Sequence, residues 1–412
     1  MWITILCAIL VFLLILWALV SVLLWVRKKM VPEGKVKIVI NEEMTIEHER
    51  GCSLLQALSD EKVFVPSACG GGGTCGTCKG KVIEGGGELL PTEKNHITRK
   101  MAADNYRLFC QVKVRDDMKI EIPKDFFGIK KWTCTVLSNR NVATFIKELV
   151  LQLPENETMD FKSGGYVQID IPACSVLFSE MLVEEPYRQD WEAMQLFSLK
   201  MKNTTPTVRA YSMANYPAEN NIVMLNVRIA TPPFNRKTNS WEKVNPGIAS
   251  SYIYNLKPGD KVVVSGPYGE FFVQDTQNEM MFIGGGAGMA PMRSHIFDQF
   301  VTHNTNRKTT FWYGGRSKKE LFYMDDFQKI AAENQNFSFS VALSDPQPDD
   351  NWQGYVGFIH QVIYDQYLKN HENPEDIEYY ICGPPAMLQA VLSMLDSLGV
   401  PSEMIHYDDF GG

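Results

Sequence analysis

Three cysteines on one glycine-rich loop, with a fourth further along the chain, limit what this sequence can fold into. Cys69, Cys75 and Cys78 have the spacing C-x5-C-x2-C, residues 70–73 are all glycine, and Cys110 follows at a distance. Because glycine carries no side chain, backbone amides on such a loop can come close to a thiolate or an inorganic sulfur. The pattern predicts a metal centre held by these four thiolates.

The identity of the metal is a choice between iron and zinc. A structural zinc ion also takes four thiolates, but zinc sites usually pair two short C-x2-4-C knuckles. Here only Cys75 and Cys78 form such a knuckle. Plant-type [2Fe–2S] ferredoxins place three cysteines on one loop and a fourth far away, with the spacing C-x4-C-x2-C. The arrangement favours a [2Fe–2S] cluster, and zinc is the alternative.

Size and charge narrow the class of protein further. A chain of 412 residues with 45% hydrophobic residues is expected to form two or three domains with substantial cores. A net charge of −8 excludes a general nucleic-acid binder. The cysteines outside the motif are scattered and odd in number, which predicts free thiols in a reducing compartment rather than a disulfide framework. They are Cys7, Cys52, Cys134, Cys174 and Cys382.

The N-terminal segment is apolar. Residues 1–26 contain no charged side chain, and Arg27, Lys28 and Lys29 follow. A helix of this length spans the roughly 30 Å hydrocarbon core of a bilayer. A cleaved signal peptide is the alternative, but the segment lacks a basic start and is too long. We therefore expect residues 1–30 to be a single-pass anchor, with the basic cluster keeping the remainder of the chain in the cytoplasm.

Hydrophobic periodicity divides the remainder into three domains. Residues 34–128 combine short strands with one helix, which predicts an α+β domain of the β-grasp ferredoxin type. Residues 130–276 contain mostly short strands and turns, typical of an antiparallel β-barrel. Residues 279–412 alternate strands and helices, as in an α/β domain with a parallel sheet. An acidic, partly helical insertion at residues 174–201 interrupts the barrel pattern, and it is either a docking surface for a partner or a surface excursion without one.

A glycine-rich turn lies at the start of the third domain, between a strand and a helix. Glycines at this position let a pyrophosphate reach backbone amides and a helix N-terminus. The strict G-x-G-x-x-G fingerprint is absent, so a tight structural turn is the alternative interpretation. The candidate nucleotide-binding residues are Gly284, Gly285, Gly286, Ala287, Gly288 and Pro291.

A short motif in the second domain, Arg209-Ala210-Tyr211-Ser212, resembles the R-x-Y-S flavin motif of the ferredoxin–NADP reductase superfamily. The resemblance implies that Arg209 meets the flavin pyrophosphate, Tyr211 packs on the isoalloxazine and Ser212 approaches its N5 edge. A later segment is similar to the second phosphate-binding segment of the superfamily, G-x-x-S. Its candidate FAD-binding residues are Gly247, Ala249, Ser250 and Ser251.

Near the end of the chain, Cys382-Gly383-Pro384-Pro385-Ala386-Met387 is similar to the superfamily's CGPP-x-M motif. The resemblance implies that Cys382, Gly383 and Pro384 lie near the nicotinamide. It also implies that a near-terminal aromatic residue covers the flavin, which makes Phe410 the candidate, and that Asp408 acts as an acid near the nicotinamide. Asp409 and Glu403 are alternatives for that acid, and a solvated tail is the simpler interpretation of the whole segment.

The order of anchor, ferredoxin, flavin domain and nucleotide domain resembles the F subunits of bacterial sodium-translocating NADH:quinone oxidoreductases. This implies an enzyme of the inner membrane that takes hydride from NADH onto FAD and passes single electrons to the cluster. The electrons would then pass to other membrane subunits and on to ubiquinone. The alternatives are a membrane-tethered NADH-dependent reductase that supplies an oxygenase, and a redox sensor that merely carries a cluster. NADPH stays open, because Arg316, Lys318 and Lys319 could meet a 2′-phosphate.

Overall fold

The computed structural model describes residues 2–30, 34–67, 69–235, 237–238 and 240–409. The chain divides into two compact units, Met1–Ile129 and Lys130–Gly412. The first helix, α1, runs from Trp2 to Met30. Its segment Ile5–Leu23 has a mean hydropathy of 3.1 and none of it is buried, so its length and composition suffice to cross a membrane.

The first unit contains a five-stranded sheet in the order β2-β1-β5-β3-β4, and β1 pairs with β5 in parallel. Helix α2 begins after Ser53, whose hydroxyl accepts a hydrogen bond from the Gln56 amide and caps the first turn. Leu54 and Leu58 of this helix are fully buried against the sheet. The elements are α2 (Leu54–Asp60), α3 (Arg99–Ala103), β1 (Lys35–Ile40), β2 (Met44–Glu49), β3 (Lys79–Glu84), β4 (Tyr106–Leu108) and β5 (Met118–Glu121).

The flavin-domain part of the second unit is a six-stranded antiparallel sheet in the order β11-β8-β15-β6-β7-β12. A single antiparallel bridge from Met213 to Leu225 links its two edge strands, and full barrel closure stays a prediction. The elements are β6 (Lys130–Ala143), β7 (Ile146–Gln152), β8 (Tyr166–Ile171), β9 (Cys174–Leu177), β10 (Lys200–Asn203), β11 (Thr207–Ser212), β12 (Ile222–Arg228), β13 (Phe234–Asn235), β14 (Ser240–Trp241), β15 (Lys261–Tyr268), α4 (Tyr187–Ala193) and α5 (Ile248–Asn255).

The insertion at residues 174–201 is built into this domain. Strands β9 and β10 pair at its two ends, and α4 lies between them. Trp191 on α4 is fully buried, stacks on Tyr254 and donates its indole N–H to the Thr144 carbonyl at 2.7 Å. The insertion is therefore packed on the domain through Trp191, and whether a partner docks on it stays a prediction.

The nucleotide-domain part has a six-stranded parallel sheet in the order β19-β18-β17-β16-β20-β21, with apolar clusters on both faces. Its central strands are buried throughout, as strands covered on both faces must be. The elements are β16 (Met280–Gly285), β17 (Thr309–Gly315), β18 (Phe337–Leu343), β19 (Tyr355–Val356), β20 (Glu378–Cys382), β21 (Ile405–Asp408), α6 (Met289–Phe297), α7 (Met324–Glu333), α8 (Ile359–Gln366) and α9 (Pro385–Ser397).

Candidate functional site

The four cysteines of the first unit are arranged as two pairs. The Sγ atoms of Cys75 and Cys69 lie 3.4 Å apart, and the thiols of Cys78 and Cys110 are hydrogen-bonded to each other. Among the described residues no three metal-binding side chains converge on one point. A cluster of two irons needs two ligands for each iron, whereas zinc needs four ligands around one ion. The pairs therefore fit a [2Fe–2S] cluster better than zinc.

The thiol pairs also favour ionisation of one member each. The hydrogen bond from Cys75 lowers the pKa of the Cys69 thiol to about 3. The hydrogen bond from Cys78 lowers the pKa of Cys110 to about 7, against the burial that opposes ionisation. The same hydrogen bonds, together with burial, raise the pKa of the partner thiols Cys75 and Cys78, so one thiol of each pair ionises more readily than the other.

Polar groups surround the sulfurs. The side-chain amide of Gln111 donates to Cys110 Sγ at 3.5 Å, and the Thr77 hydroxyl lies 3.1 Å from Cys75 Sγ. The main chain at Gly73 also hydrogen-bonds to Cys110. Hydrogen bonds to sulfur tune an iron–sulfur centre, so these groups belong to the site as well as the ligands.

In the second unit the R-x-Y-S motif occupies β11, which pairs with β8 in full register from Thr207 to Ser212. Successive side chains point to opposite faces of a strand, so Arg209 and Tyr211 share one face. The Arg209 guanidinium is held by the Thr207 hydroxyl at 2.9 Å and the Val208 carbonyl at 2.7 Å. The strand thus presents a cation and an aromatic ring side by side.

The second phosphate segment forms the start of helix α5. Gly247 precedes the helix, and the Ser250 hydroxyl accepts from the Ala230 amide at 3.1 Å and donates to the Gly247 carbonyl at 3.3 Å. Ser250 therefore holds the turn. Ser251 is fully buried, and its hydroxyl has no partner among the described residues. An unpartnered hydroxyl beside a helix N-terminus fits a phosphate group.

The glycine-rich turn and the Cys382 turn lie side by side at the carboxyl ends of neighbouring parallel strands. In the β16–β20 register, Gly284 is opposite Cys382. A Cβ atom on Gly288 would lie 2.1 Å from the Cys382 carbonyl oxygen, so only glycine fits this close approach. Pro291 lies in the first turn of α6, where its missing N–H costs nothing. Ligands of open α/β sheets bind at this edge.

Three candidate residues from distant parts of the chain meet at this edge. Strand β21 pairs with β20 and places Asp408 opposite Cys382. The hydroxyl of the buried Ser212, at the end of β11, donates to Asp408 Oδ2 at 2.7 Å. Burial and the neighbouring Asp409 raise the pKa of Asp408, while the Ser212 hydrogen bond opposes that rise. Burial, with Asp408 and Asp409 nearby, raises the pKa of the Cys382 thiol well above its usual range.

Two further points concern the predicted residues. Asp408 belongs to a strand of the sheet, so the interpretation as a solvated tail is wrong for Ile405–Asp408, whereas Phe410 lies outside the described residues. Arg293 on α6 was not among the predicted residues; it is buried, donates to the Ala214 carbonyl at 2.8 Å and pairs with Glu219 at 2.9 Å. Its position on the helix that follows the glycine-rich turn is the sequence signal that could have found it.

Two of the three cations that could meet a 2′-phosphate are paired with carboxylates, and the third donates to a backbone carbonyl. Arg316 pairs with Asp345 at 3.0 Å, and Lys319 pairs with Asp190 of the insertion at 2.7 Å. The Lys318 amide and ammonium both donate to Asp350, at 3.0 Å to the carboxylate and 3.4 Å to the carbonyl. A 2′-phosphate bound here would meet carboxylates as well as cations. The repulsion between the phosphate and these carboxylates disfavours NADPH.

Family models match three stretches of the chain. A 2Fe-2S iron-sulfur cluster binding domain matches residues 38–115, an oxidoreductase FAD-binding domain matches residues 189–273, and an oxidoreductase NAD-binding domain matches residues 282–393. The predictions of a [2Fe–2S] cluster, FAD and a nicotinamide nucleotide are therefore confirmed at the level of the domains.

Solved structures share this domain arrangement. A cytochrome P450 reductase from Amycolatopsis has a TM-score of 0.63 at 23% identity, over 91% of this chain and 98% of its own. The ferredoxin reductase of a carbazole 1,9a-dioxygenase has a TM-score of 0.59 at 24% identity, over 92% of this chain and 99% of its own. At these identities the likeness concerns the fold alone.

Sequence relatives are much closer. The F subunit of the Na(+)-translocating NADH-quinone reductase of Methylococcus capsulatus is 57% identical over 395 residues, 96% of each chain. The proteins of the same name from Idiomarina loihiensis and Neisseria meningitidis are 55% and 54% identical, over 97% and 98% of this chain and 98% of their own. The chain therefore belongs to the family of F subunits of Na(+)-translocating NADH-quinone reductases.

Proposed function

We propose that this chain is the electron-input subunit of a sodium-pumping NADH:ubiquinone oxidoreductase. The observation that carries the proposal is the meeting of Ser212, Cys382 and Asp408 at the carboxyl edge of the nucleotide domain. FAD, when bound, accepts a hydride and releases electrons singly, and a [2Fe–2S] cluster takes them one at a time. A redox sensor that only carried a cluster would not need the hydride site.

The residues of the flavin domain are proposed to bind and orient FAD. Arg209 neutralises the pyrophosphate, and the first amides of α5, with Gly247, Ala249, Ser250 and Ser251, hold its oxygens. Tyr211 would pack on the isoalloxazine, and Ser212 would approach its N5 edge. The support is the shared face of Arg209 and Tyr211, and the buried, unpartnered Ser251 hydroxyl.

The nucleotide domain is proposed to bind NADH along the two adjoining turns. Amides of the glycine-rich turn at residues 284–288, ahead of Pro291, hold the pyrophosphate. Cys382, with Gly383 and Pro384, would lie against the nicotinamide and keep water away from it. Asp408 orients the Ser212 hydroxyl, and Phe410, which lies outside the described residues, would cover the flavin.

The four cysteines Cys69, Cys75, Cys78 and Cys110 are proposed to ligate the cluster, two on each iron. Helix α1 is proposed to anchor the chain in the bacterial inner membrane with both units in the cytoplasm. The electrons then go to other membrane subunits of the complex and on to ubiquinone. Helix α1 has no Asp, Glu, Lys, Arg or His within its apolar span, so sodium movement is assigned to the partner subunits.

The test is to purify the full-length chain in mild detergent with the proteins that accompany it. NADH:quinone reductase activity is then measured with and without sodium. Sodium stimulation together with co-purifying membrane subunits is the expected result. Recovery with an oxygenase, and no sodium effect on quinone reduction, would refute the proposal in favour of a tethered reductase.

A further inference from the structure

We infer that Gln111 sets the reduction potential of the iron–sulfur centre through the hydrogen bond from its side-chain amide to the Cys110 sulfur. Gln111 is a positioning and tuning residue rather than a ligand. The inference rests on the ligation by four cysteines proposed above. It assigns a role to a polar pair, Gln111 and Thr92, that the hydride chemistry does not use.

The direction of the amide is set by its second partner. The Thr92 hydroxyl donates to Gln111 Oε1 at 3.0 Å, and this leaves Nε2 as the atom that faces Cys110 Sγ at 3.5 Å. A thiolate can only accept, and Nε2 can only donate. The hydrogen bond from Thr92 therefore orients the Gln111 amide so that its N–H group donates to the Cys110 sulfur.

The loop leaves room for this amide at one glycine. Gly73 has φ of +77°, and a Cβ atom on it would lie 2.6 Å from Gln111 Nε2. Any side chain at this position would displace the amide from the sulfur. The glycine thus permits both the turn of the cluster loop and the approach of the donor.

The electrostatic consequence has a definite sign. Reduction of a cluster adds negative charge that is shared with its sulfurs, and a donated hydrogen bond stabilises that charge. The half-buried Gln111 side chain also covers the buried Cys110. Removing the donor should lower the potential.

The experiment is an EPR-monitored redox titration of the full-length protein in detergent, comparing Gln111→Leu with the wild type. We expect the equilibrium constant for cluster reduction to fall about tenfold, which is about 59 mV for one electron. Thr92→Val should shift the potential in the same direction by less, because it only frees the amide to rotate. Gln56→Leu is the matched control, since Gln56 is an exposed glutamine of the same unit that donates to Asp60. The reduction potential of the cluster should not change in this variant.

A spectroscopic readout separates tuning from a general structural effect. The Fe–S(Cys) stretching bands in resonance Raman spectra should shift in D2O for the wild type, and this isotope shift should shrink in Gln111→Leu. If Gln111→Leu loses the cluster, Gln111→Glu replaces it in the test. That variant keeps an oxygen for Thr92 and presents an anionic oxygen to the sulfur, so its potential should fall further.

An unchanged potential in an intact Gln111→Leu or Gln111→Glu cluster would overturn the inference and leave the ligation untouched. The ligation is tested separately by Cys110→Ala. Retention of an unaltered cluster in that variant would overturn the cysteine assignment, and the inference about Gln111 with it.

Discussion

Substitution of Ser212 by alanine tests the hydride site most directly. The Ser212 hydroxyl is buried and donates to Asp408 at 2.7 Å, so the alanine variant removes a charge-assisted hydrogen bond without adding bulk. The variant leaves the glycine-rich turn and the Cys382 turn unchanged. We therefore expect a loss in the rate of hydride transfer and little change in NADH affinity.

The size of the loss follows from the contact. A hydrogen bond to a charged group is worth about 1.5–3 kcal/mol, and each 1.36 kcal/mol of barrier is about tenfold in rate. Flavin reduction in Ser212→Ala should therefore be about 10- to 150-fold slower. Asp408→Asn should show a loss of the same order. Because both act through one contact, the double variant should be about as slow as the slower single variant.

The assay is anaerobic stopped-flow, with flavin absorbance followed over a range of NADH concentrations. The limiting rate reports hydride transfer, and the concentration dependence reports the Kd for NADH. Ser265→Ala is a suitable control, because Ser265 is a buried serine of the same domain that bonds to Tyr268 instead. Its limiting rate should match that of the wild type.

Two results would refute the reasoning. A limiting rate in Ser212→Ala within twofold of the wild type would mean that the hydroxyl has no part in hydride transfer. Losses that multiply in the double variant would mean that Ser212 and Asp408 act separately.

Asp408, Asp345 and Trp191 each give a further prediction. Because burial and Asp409 raise the pKa of Asp408, the flavin-reduction rate should fall as the pH drops through a midpoint above the ordinary value of about 3.9, and Asp409→Asn should move that midpoint lower; a pH profile with an unmoved midpoint would contradict this. Asp345→Asn should reduce the NADH-to-NADPH ratio of kcat/KM about two- to fivefold, since it frees the exposed Arg316 to meet a 2′-phosphate; steady-state kinetics with both nucleotides measure the ratio, and an unaltered ratio would contradict this. Trp191→Ala should lower the free energy of unfolding by about 3–5 kcal/mol in denaturant titrations, whereas Leu182→Ala, at an exposed position of the same insertion, should change it by less than about 0.5 kcal/mol, and equal effects would argue against the buried core.

The sequence predicted what local patterns encode. The alternation of strands and helices predicted for residues 279–412 is found around the parallel sheet, and the cluster cysteines are recognisable because one loop carries three of them. The Cys382 motif is likewise local, since a strand and a helix flank it.

Other features depend on contacts between distant segments. Ser212 and Asp408 are 196 positions apart, and Asp408 lies on a strand of only four residues, too short for a clear alternation. The insertion is so acidic that one buried tryptophan, Trp191, does not stand out. Gln111 and Thr92 are ordinary polar residues in the sequence, and only their mutual orientation beside a sulfur gives them a role.

The close approach of Gly288 to the Cys382 carbonyl has a consequence for how this enzyme can evolve. Every missense change of a glycine codon by one base introduces a Cβ atom, and at Gly288 that atom would lie 2.1 Å from the carbonyl oxygen. No substitution at Gly288 could therefore change nucleotide preference at a small cost in activity. Substitution at Gly288 is therefore closed to this enzyme, and adaptation to another nucleotide would begin at exposed side chains beyond the strand ends, such as Asp345.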